Sequence, residues 1–402
     1  MPLYQRPSQF EPLLPSRGME GLVARSREVM DASLVLTRSL HPASLRPLRE
    51  LVRAMNSYYS NRIEGQGTHP LNIERALRKD FSAKPETAQR QRIAVAHIDA
   101  ERELEASMNA EGLAEPGVLA SGFLVKAHAA LYRRLDAGDR TTKDGLVIEP
   151  GILRDHEVKV GHHEAPAFAA VPAFLKRMDE VYPKAAVGRD GLAVVIAAAH
   201  HRAAWVHPFG DGNGRAVRLQ THCALLPTSG GLWSVSRAFA RQRDDYYAHL
   251  ADADQPRHGD LDGRGNLSEK TLVAWCQYFI ALCQDQVRFM GEMLDLDKLQ
   301  GRIDALVAAR AAQPASWPHY RKELALPLRH VIVAGPLSRG EFKQMTGLAD
   351  RTAQRSLNGL VVDGLLRSEG PKSAVSIGFP LDSLNILFPN LYPEAASANL
   401  EP

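Results

Sequence analysis

Apolar residues recur every three to four positions along most of the chain, which is the spacing of one face of an α-helix. A segment that begins at Pro42 has the apolar face Leu45, Leu48, Leu51, Val52 and Met55. This helix is predicted to run on toward Glu64 and to end at Gly65. Further helices are predicted at 73–78, 88–108, 119–135, 171–181, 192–204 and 215–226. Between them, Val158-Lys-Val160 alternates like a short strand and Gly161 turns it into a hairpin.

The second half of the chain changes pattern after two prolines. Residues 267–289 and the spacing of Leu299, Ile303 and Leu306 predict two more helices, which lead to Pro314 and Pro318. Beyond them come predicted helices at 324–333, 339–345 and 350–360, and then two strands within 365–377 that are broken at Gly370-Pro371. This order is typical of a winged helix-turn-helix.

These patterns divide the chain into four parts. We expect an N-terminal helical region at 1–100, a helical core at 101–312, a winged helix-turn-helix domain at 321–385 and a tail at 386–402. The predicted fold class is mainly α, with one short β-hairpin in the core and a small helix-and-wing domain after it.

Composition narrows the class of protein but not its function. A net charge of +3 over 402 residues is too small to indicate a polyanion partner. The longest apolar run, 191–199, is far shorter than the roughly 20 residues that span a bilayer. The three cysteines have no metal-ligand spacing, so we expect buried reduced thiols. The N-terminal residues mix arginines with prolines where a secretory signal would be apolar. We therefore expect a cytoplasmic protein without a membrane partner.

The segment His207-Pro-Phe-Gly-Asp-Gly-Asn-Gly-Arg-Ala-Val-Arg218 carries the residue types that handle a nucleotide phosphate. Its glycines allow close backbone approach, and they open onto a helix whose N-terminus favours anions. Arg215 and Arg218 lie one turn apart and can both reach a polyphosphate. Asp211 offers a hard oxygen ligand for Mg²⁺. His207 can accept a proton from an attacking hydroxyl near neutral pH.

This segment resembles the motif of the Fic family, His-x-Phe-x-[Asp/Glu]-Gly-Asn-Gly-Arg-x-x-Arg, at every fixed position. A chance match of this length is expected in roughly one chain in tens of millions. The resemblance implies a Fic-type helical core and a protein adenylyltransferase, which transfers AMP from ATP to a hydroxyl of a target protein or of itself. His207 would be the general base, and Asp211 the Mg²⁺ ligand. The residues that would bind the nucleotide phosphates are Asp211, Gly212, Asn213, Gly214, Arg215, Ala216, Val217 and Arg218. Phe209 would anchor the loop.

Two other segments fit the same family pattern. Val160, Gly161, His162 and His163 resemble the family's flap, a hairpin that pairs with the target segment beside the nucleotide. Tyr246 and Tyr247 resemble the tyrosine pair on the adenine side, with packing on a helix as the alternative. Asp254 stands where relatives often carry Asn. Some relatives transfer phosphate or phosphocholine, but the two arginines and the tyrosine pair favour a nucleoside triphosphate.

The helix at about 42–65 ends in Ser60-Asn-Arg-Ile-Glu64-Gly65, which fits the family's inhibitory motif, [Ser/Thr]-x-x-x-Glu-[Gly/Asn]. An ordinary solvated helix end is the alternative. The resemblance implies that Glu64 pairs with Arg218 and displaces the γ-phosphate, so the resting enzyme is slow. In some relatives the same glutamate positions water to remove AMP, and the sequence does not separate the two directions.

The C-terminal region raises a second class of function. Its predicted recognition helix starts at Asp350, a candidate cap, and carries Arg351, Thr352, Gln354, Arg355 and Asn358, with Lys372 on the wing. Nearby acidic residues reduce the positive charge of this surface, so DNA is only an alternative partner. The rival hypothesis is a DNA-binding regulator whose Fic core senses nucleotide. The sequence leaves the target protein and the oligomeric state open, and a homodimer is compatible with it.

Overall fold

Helices make up most of the structure, as the apolar spacing predicts. The chain is described from a computed structural model, which covers residues 4–110, 115–161, 163–187 and 190–395. The first helices are α1 Met19–Arg38, α2 Pro42–Ile63, α3 Pro70–Leu77, α4 Pro85–Ala110, α5 Glu115–Val118, α6 Ser121–Tyr132, α7 Val171–Ala185, α8 Leu192–Val206 and α9 Asn213–Ser229. The later helices are α10 Val235–Arg241, α11 Arg243–Ala253, α12 Glu269–Leu294, α13 Leu296–Ala311, α14 Ala325–Ala334, α15 Arg339–Thr346, α16 Asp350–Val362 and α17 Leu381–Leu387.

Strands are confined to two short hairpins in the described residues. β1 Lys159–Val160 pairs antiparallel with β2 His163–Glu164, and β3 Leu366–Arg367 pairs antiparallel with β4 Ser376–Ile377. The mainly helical fold class and the core hairpin are therefore confirmed. Within the same residues, no helix has both the length and the apolar content to cross a membrane.

The core is built around α8, whose side chains are nearly all buried. The apolar and small residues of this helix allow α1, α7, α9 and α12 to pack around it. The helix is buried all round, which is typical of a central helix in a helical domain. Cys223, Cys276 and Cys283 lie in this interior as free thiols, as predicted.

Helix α2 begins and ends as its sequence predicts. The His41 ring accepts a hydrogen bond from the Ala43 amide, and Pro42 occupies the first turn, where a missing N–H costs nothing. At the other end Gly65 adopts a positive φ of 72°. This conformation lets the Gln66 amide donate to the Asn61 carbonyl at 2.9 Å, and it turns the chain away from the helix axis.

The C-terminal module has the predicted element order, α14, α15, α16 and then the β3–β4 hairpin. Its assignment as a winged helix-turn-helix domain, and its binding of DNA, stay predictions. One detail of the sequence reasoning was wrong: the residue at the N-cap of α16 is Ala349, and Asp350 is the first helical residue. The Asp350 carboxylate instead accepts a hydrogen bond from the Lys343 ammonium at 2.7 Å, so it ties α15 to α16.

The predicted tail, which begins at residue 386, packs on α2 as far as it is described. The Tyr59 hydroxyl donates to the Leu391 carbonyl at 2.8 Å. The Tyr392 ring lies edge-on to Tyr58, with ring centroids 5.3 Å apart. The C-terminal segment therefore contacts the same helix that carries the predicted inhibitory glutamate.

Candidate active site

The predicted catalytic histidine lies at a sharp turn between α8 and α9. His207 follows the last residue of α8 and adopts a left-handed conformation with φ 49° and ψ 61°. This region is sparsely populated by residues other than glycine, so the surrounding contacts must hold it. A buried arginine supplies them: the Arg154 Nε donates to the His207 carbonyl at 2.8 Å, and the Arg154 amide donates to the Pro208 carbonyl at 2.9 Å.

Asn213 and Phe209 brace the inside of the same loop. The Asn213 Oδ1 accepts from the Phe209 amide and its Nδ2 donates to the Phe209 carbonyl, both at 2.9 Å. The Phe209 ring is fully buried and stacks on His128 with centroids 3.9 Å apart. Phe209 is thus a loop anchor, as predicted. The Asn213 side chain thus uses its Oδ1 and one Nδ2 hydrogen to hold the loop backbone.

Burial lowers the pKa of His207 to about 4, and the nearby His163 adds to the shift. The imidazole is therefore neutral at neutral pH. A neutral imidazole has a lone pair that can accept a proton, which a general base requires.

The glycines of the loop are required by close contacts. Gly212 is the N-cap of α9 with φ 78°, and a Cβ there would collide with the Tyr132 ring. A Cβ at Gly214 would collide with the Glu64 carboxylate. Past Gly212, the first amides of α9 have no partner within the helix and form an anion-binding end.

Asp211 and Arg215 lie together below this end of the helix. The Asp211 Oδ2 accepts from the Tyr132 hydroxyl at 2.7 Å and lies 3.3 Å from the Arg215 Nη2. Arg215 also donates from Nη1 to the Gln66 Oε1 at 2.8 Å. Burial works to raise the pKa of Asp211, but Arg215, Tyr132 and the Gly212 amide together hold it below its ordinary value. The carboxylate is therefore ionised.

Arg218 is held by the end of α2. Its Nη2 lies 2.5 Å from the Glu64 Oε1, and its Nε donates to the Ser60 hydroxyl at 2.9 Å. The Arg218 side chain is 2% exposed and that of Glu64 is 29% exposed. Burial works to raise the pKa of Glu64, but Arg218 and Arg215 outweigh it and hold the pKa below its ordinary value. The pair predicted from the two motifs is therefore present.

Several of these groups line one cavity of about 770 Å³. Predicted site residues in its wall are His207, Asn213, Gly214, Arg218, Glu64, Val160, Gly161, His163, Tyr246 and Tyr247. Of the other predicted residues that the structure describes, Ser60, Gly65, Asp211, Gly212, Arg215, Ala216 and Val217 lie outside the wall. The Ala216 and Val217 side chains are buried in the core. His162 lies outside the described residues.

The two tyrosines of the wall that the sequence singles out, Tyr246 and Tyr247, differ in their surroundings. Tyr246 is 2% exposed, and its hydroxyl lies 2.9 Å from the His200 ring. Tyr247 is 40% exposed, and its hydroxyl donates to the Ile63 carbonyl at 3.3 Å. Tyr246 is largely buried although it reaches the cavity wall, while Tyr247 presents its ring to the cavity beside the end of α2. Nucleotide binding by either tyrosine stays a prediction.

Asp254 fixes the flap hairpin to the cavity wall. Its carboxylate lies 3.3 Å from the His163 Nδ1 and 3.1 Å from the His201 Nε2. The other ring nitrogen of His163 lies 2.8 Å from the Trp205 carbonyl. Burial works to lower the pKa of His163, but Asp254 and the Trp205 carbonyl raise it above its ordinary value. Asp254 therefore holds the flap.

Sequence reasoning missed three residues of the site, Tyr132, Arg154 and Gln66, and one contact, that of Asp254 with His163. Gln66 had one available signal, because it follows the helix stop at Gly65 directly. Tyr132 and Arg154 lie in a different part of the chain from the loop they contact, and no local pattern marks them.

Comparisons with known proteins agree with this geometry. Residues 119–225 match the model of the Fic/DOC family. A curated relative, "Protein adenylyltransferase Fic" from Nematostella vectensis, is 25% identical over 227 residues, which are 55% of this chain and 48% of that protein. The chain therefore spans about half the length of this relative.

Solved structures share the fold. A Fic family protein from Desulfovibrio desulfuricans has a TM-score of 0.51 at 20% identity, covering 93% of this chain and 98% of its own. Fic-1 from C. elegans has a TM-score of 0.50 at 17% identity, covering 67% and 72%. Residues 119–225 thus match the Fic/DOC family model, and the chain shares its fold with these two structures.

Proposed function

We propose that this protein is a protein adenylyltransferase that moves AMP from ATP to a hydroxyl side chain of a target protein or of itself. The observation that carries the proposal is the shared cavity, where His207 and Arg218 lie beside the anion-binding end of α9. The cavity thus has a base, a guanidinium and free backbone amides in its wall. This set of groups can bind a nucleoside triphosphate and activate an attacking hydroxyl.

In the proposed reaction, the hydroxyl oxygen forms a bond to the α-phosphorus. The bond from that phosphorus to the oxygen bridging to the β-phosphate breaks, and pyrophosphate leaves. His207 takes the hydroxyl proton, which its neutral ring can do. Arg215 and Arg218 bind the phosphates beyond the reacting centre, so the loop acts by positioning and charge neutralisation.

Mg²⁺ fits the donor that the loop supplies. The Asp211 side chain is ionised and half exposed, and carboxylate oxygen is a preferred ligand of this ion. When bound, Mg²⁺ would neutralise phosphate charge. Asp211 is the residue of this chain that would hold it.

Restraint by Glu64 is the second part of the proposal. Arg218 is paired with Glu64 and Ser60, so it cannot receive a γ-phosphate without giving up the carboxylate. ATP that lacks this contact lies out of line for attack, which makes the resting enzyme slow.

ATP radiolabelled at the α-phosphate tests the proposal. We expect weak incorporation into protein by the native chain, stronger incorporation by Glu64→Gly, and none by Glu64→Gly/His207→Ala. His249→Ala, outside the cavity wall, is the matched histidine control and should leave incorporation unchanged. Label from the γ-phosphate should not be incorporated. Absence of α-label in Glu64→Gly, with a panel of candidate targets present, would refute the transfer reaction.

Two alternatives give different results in the same experiment. Removal of AMP from a labelled target by the native chain, but not by Glu64→Gly, would indicate that the reverse reaction dominates. Sequence-specific, salt-sensitive duplex binding without any labelling would indicate the DNA-binding regulator.

A further inference from the structure

Tyr132 contacts both charged groups beneath the catalytic loop, although it lies far from the motif in sequence. It is the last residue of α6 and is 1% exposed. Its hydroxyl donates to the Asp211 Oδ2 at 2.7 Å and accepts from the Arg215 Nη2 at 2.8 Å. The direct distance between Asp211 and Arg215 is longer, at 3.3 Å. The phenol therefore lies between a carboxylate and a guanidinium.

The ring of Tyr132 has little freedom to move. It stacks on His128 with centroids 4.4 Å apart, and His128 stacks in turn on the loop anchor Phe209. The His128 Nδ1 accepts from the Gly151 amide at 2.9 Å, which leaves Nε2 to donate to the Asp211 carbonyl at 3.1 Å. Tyr132 and His128 thus hold Asp211 by its side chain and by its main chain.

We propose that Tyr132 is a positioning residue that keeps the Asp211 carboxylate available to a divalent cation. This inference rests on the proposed function. Arg215 and Asp211 already form an ion pair at 3.3 Å. Without the hydroxyl, the guanidinium of Arg215 would move closer and occupy the carboxylate oxygen that Tyr132 now holds. A carboxylate neutralised in that way is a poorer ligand for a cation, and Arg215 would be drawn away from the phosphates.

Tyr132→Phe tests the proposal because it removes the hydroxyl and keeps the stacked ring. The parent is Glu64→Gly, which is expected to be active. The half-saturating Mg²⁺ concentration for AMP transfer should rise about tenfold, the lower end of the effect of losing a partner of a metal ligand. Calorimetry with Mg²⁺ and a non-hydrolysable α,β-methylene analogue of ATP should show the same weakening without turnover.

Tyr182→Phe is the matched control. The Tyr182 hydroxyl is equally buried and donates to the Leu13 carbonyl at 3.0 Å, away from the loop. Its loss should lower the melting temperature and leave the Mg²⁺ dependence unchanged. In an Asp211→Asn background, Tyr132→Phe should have no further effect on Mg²⁺ dependence, because the ligand it serves is already lost.

An unshifted Mg²⁺ dependence in Tyr132→Phe, or a shift that Tyr182→Phe reproduces, would overturn the inference. An equal shift with and without the Asp211 carboxylate would also overturn it. If the Glu64→Gly parent transfers no AMP, the proposed function fails. The calorimetric comparison still decides the role of Tyr132 in that case.

Discussion

Replacing Glu64 with glycine is expected to release Arg218 and raise the rate of AMP transfer. Glu64 is the C-cap of α2, with φ −80° and ψ 3°, and it precedes Gly65. A glycine at this position therefore costs little helix stability. Ser60 keeps its contacts with the Arg218 guanidinium, so the arginine should stay in place to receive a phosphate.

The size of the effect follows from the contact that ATP must displace. The Glu64–Arg218 hydrogen bond is short, at 2.5 Å, and the arginine is almost fully buried. A hydrogen bond to a charged group contributes about 1.5–3 kcal/mol, so its removal should raise kcat/KM for ATP by about tenfold to a hundredfold. Because Glu64 is partly exposed, solvent weakens its ion pair with Arg218, so we expect a rise in kcat/KM nearer to tenfold than to a hundredfold.

The assay is AMP incorporation at ATP concentrations below saturation, with four variants compared. Glu64→Gln keeps the shape and loses the charge, so it should fall between the native chain and Glu64→Gly. Ser60→Ala loses only one neutral partner of Arg218 and should have the smallest effect. Equal rates for the native chain and Glu64→Gly would refute the restraint. The restraint would also be refuted if the higher rate of Glu64→Gly persisted when Arg218→Ala is added to it.

Three further predictions follow from the site. In Glu64→Gly, kcat/KM should stay flat from pH 8 to pH 5, because the His207 pKa of about 4 places protonation and loss of the base below that range; an acid limb near the ordinary value of about 6.5 would contradict this. Arg154→Met should lower stability by about 3 kcal/mol in urea unfolding, because it leaves buried carbonyls around His207 unpaired; an effect equal to that of the exposed Arg351→Met would contradict this. Asp254→Asn should increase hydrogen exchange in the flap at His163 with little change elsewhere, since the ion pair to that ring is lost; unchanged exchange there would show that Asp254 does not hold the flap.

Local signals explain what could be predicted from the sequence. The end of α2 was predicted because Gly65 is a helix stop, and the loop was predicted because its glycines and charges are contiguous. Helix α1 was missed because its buried face includes Ser26 and Ser33, which break the apolar spacing. Helix α11 was missed because Tyr246 and Ala253 are the residues it buries, so it has no apolar stripe.

Tertiary contacts explain what could not be predicted. Tyr132 reaches the catalytic loop only because α6 packs against α9. Arg154 lies in an irregular segment between α6 and the flap, and its carbonyl partners carry no sequence signature. The Glu64–Arg218 pair was predicted from the resemblance to the Fic family, while the partners of Arg215 are seen only in the structure.

Intact-mass measurement of Glu64→Gly after incubation with Mg²⁺ and ATP tests the central claim most directly. We expect part of the protein to gain the mass of one AMP, and we expect no gain in Glu64→Gly/His207→Ala. An unchanged mass in Glu64→Gly, or a gain of one phosphate in its place, would contradict self-directed transfer of AMP by the His207 loop.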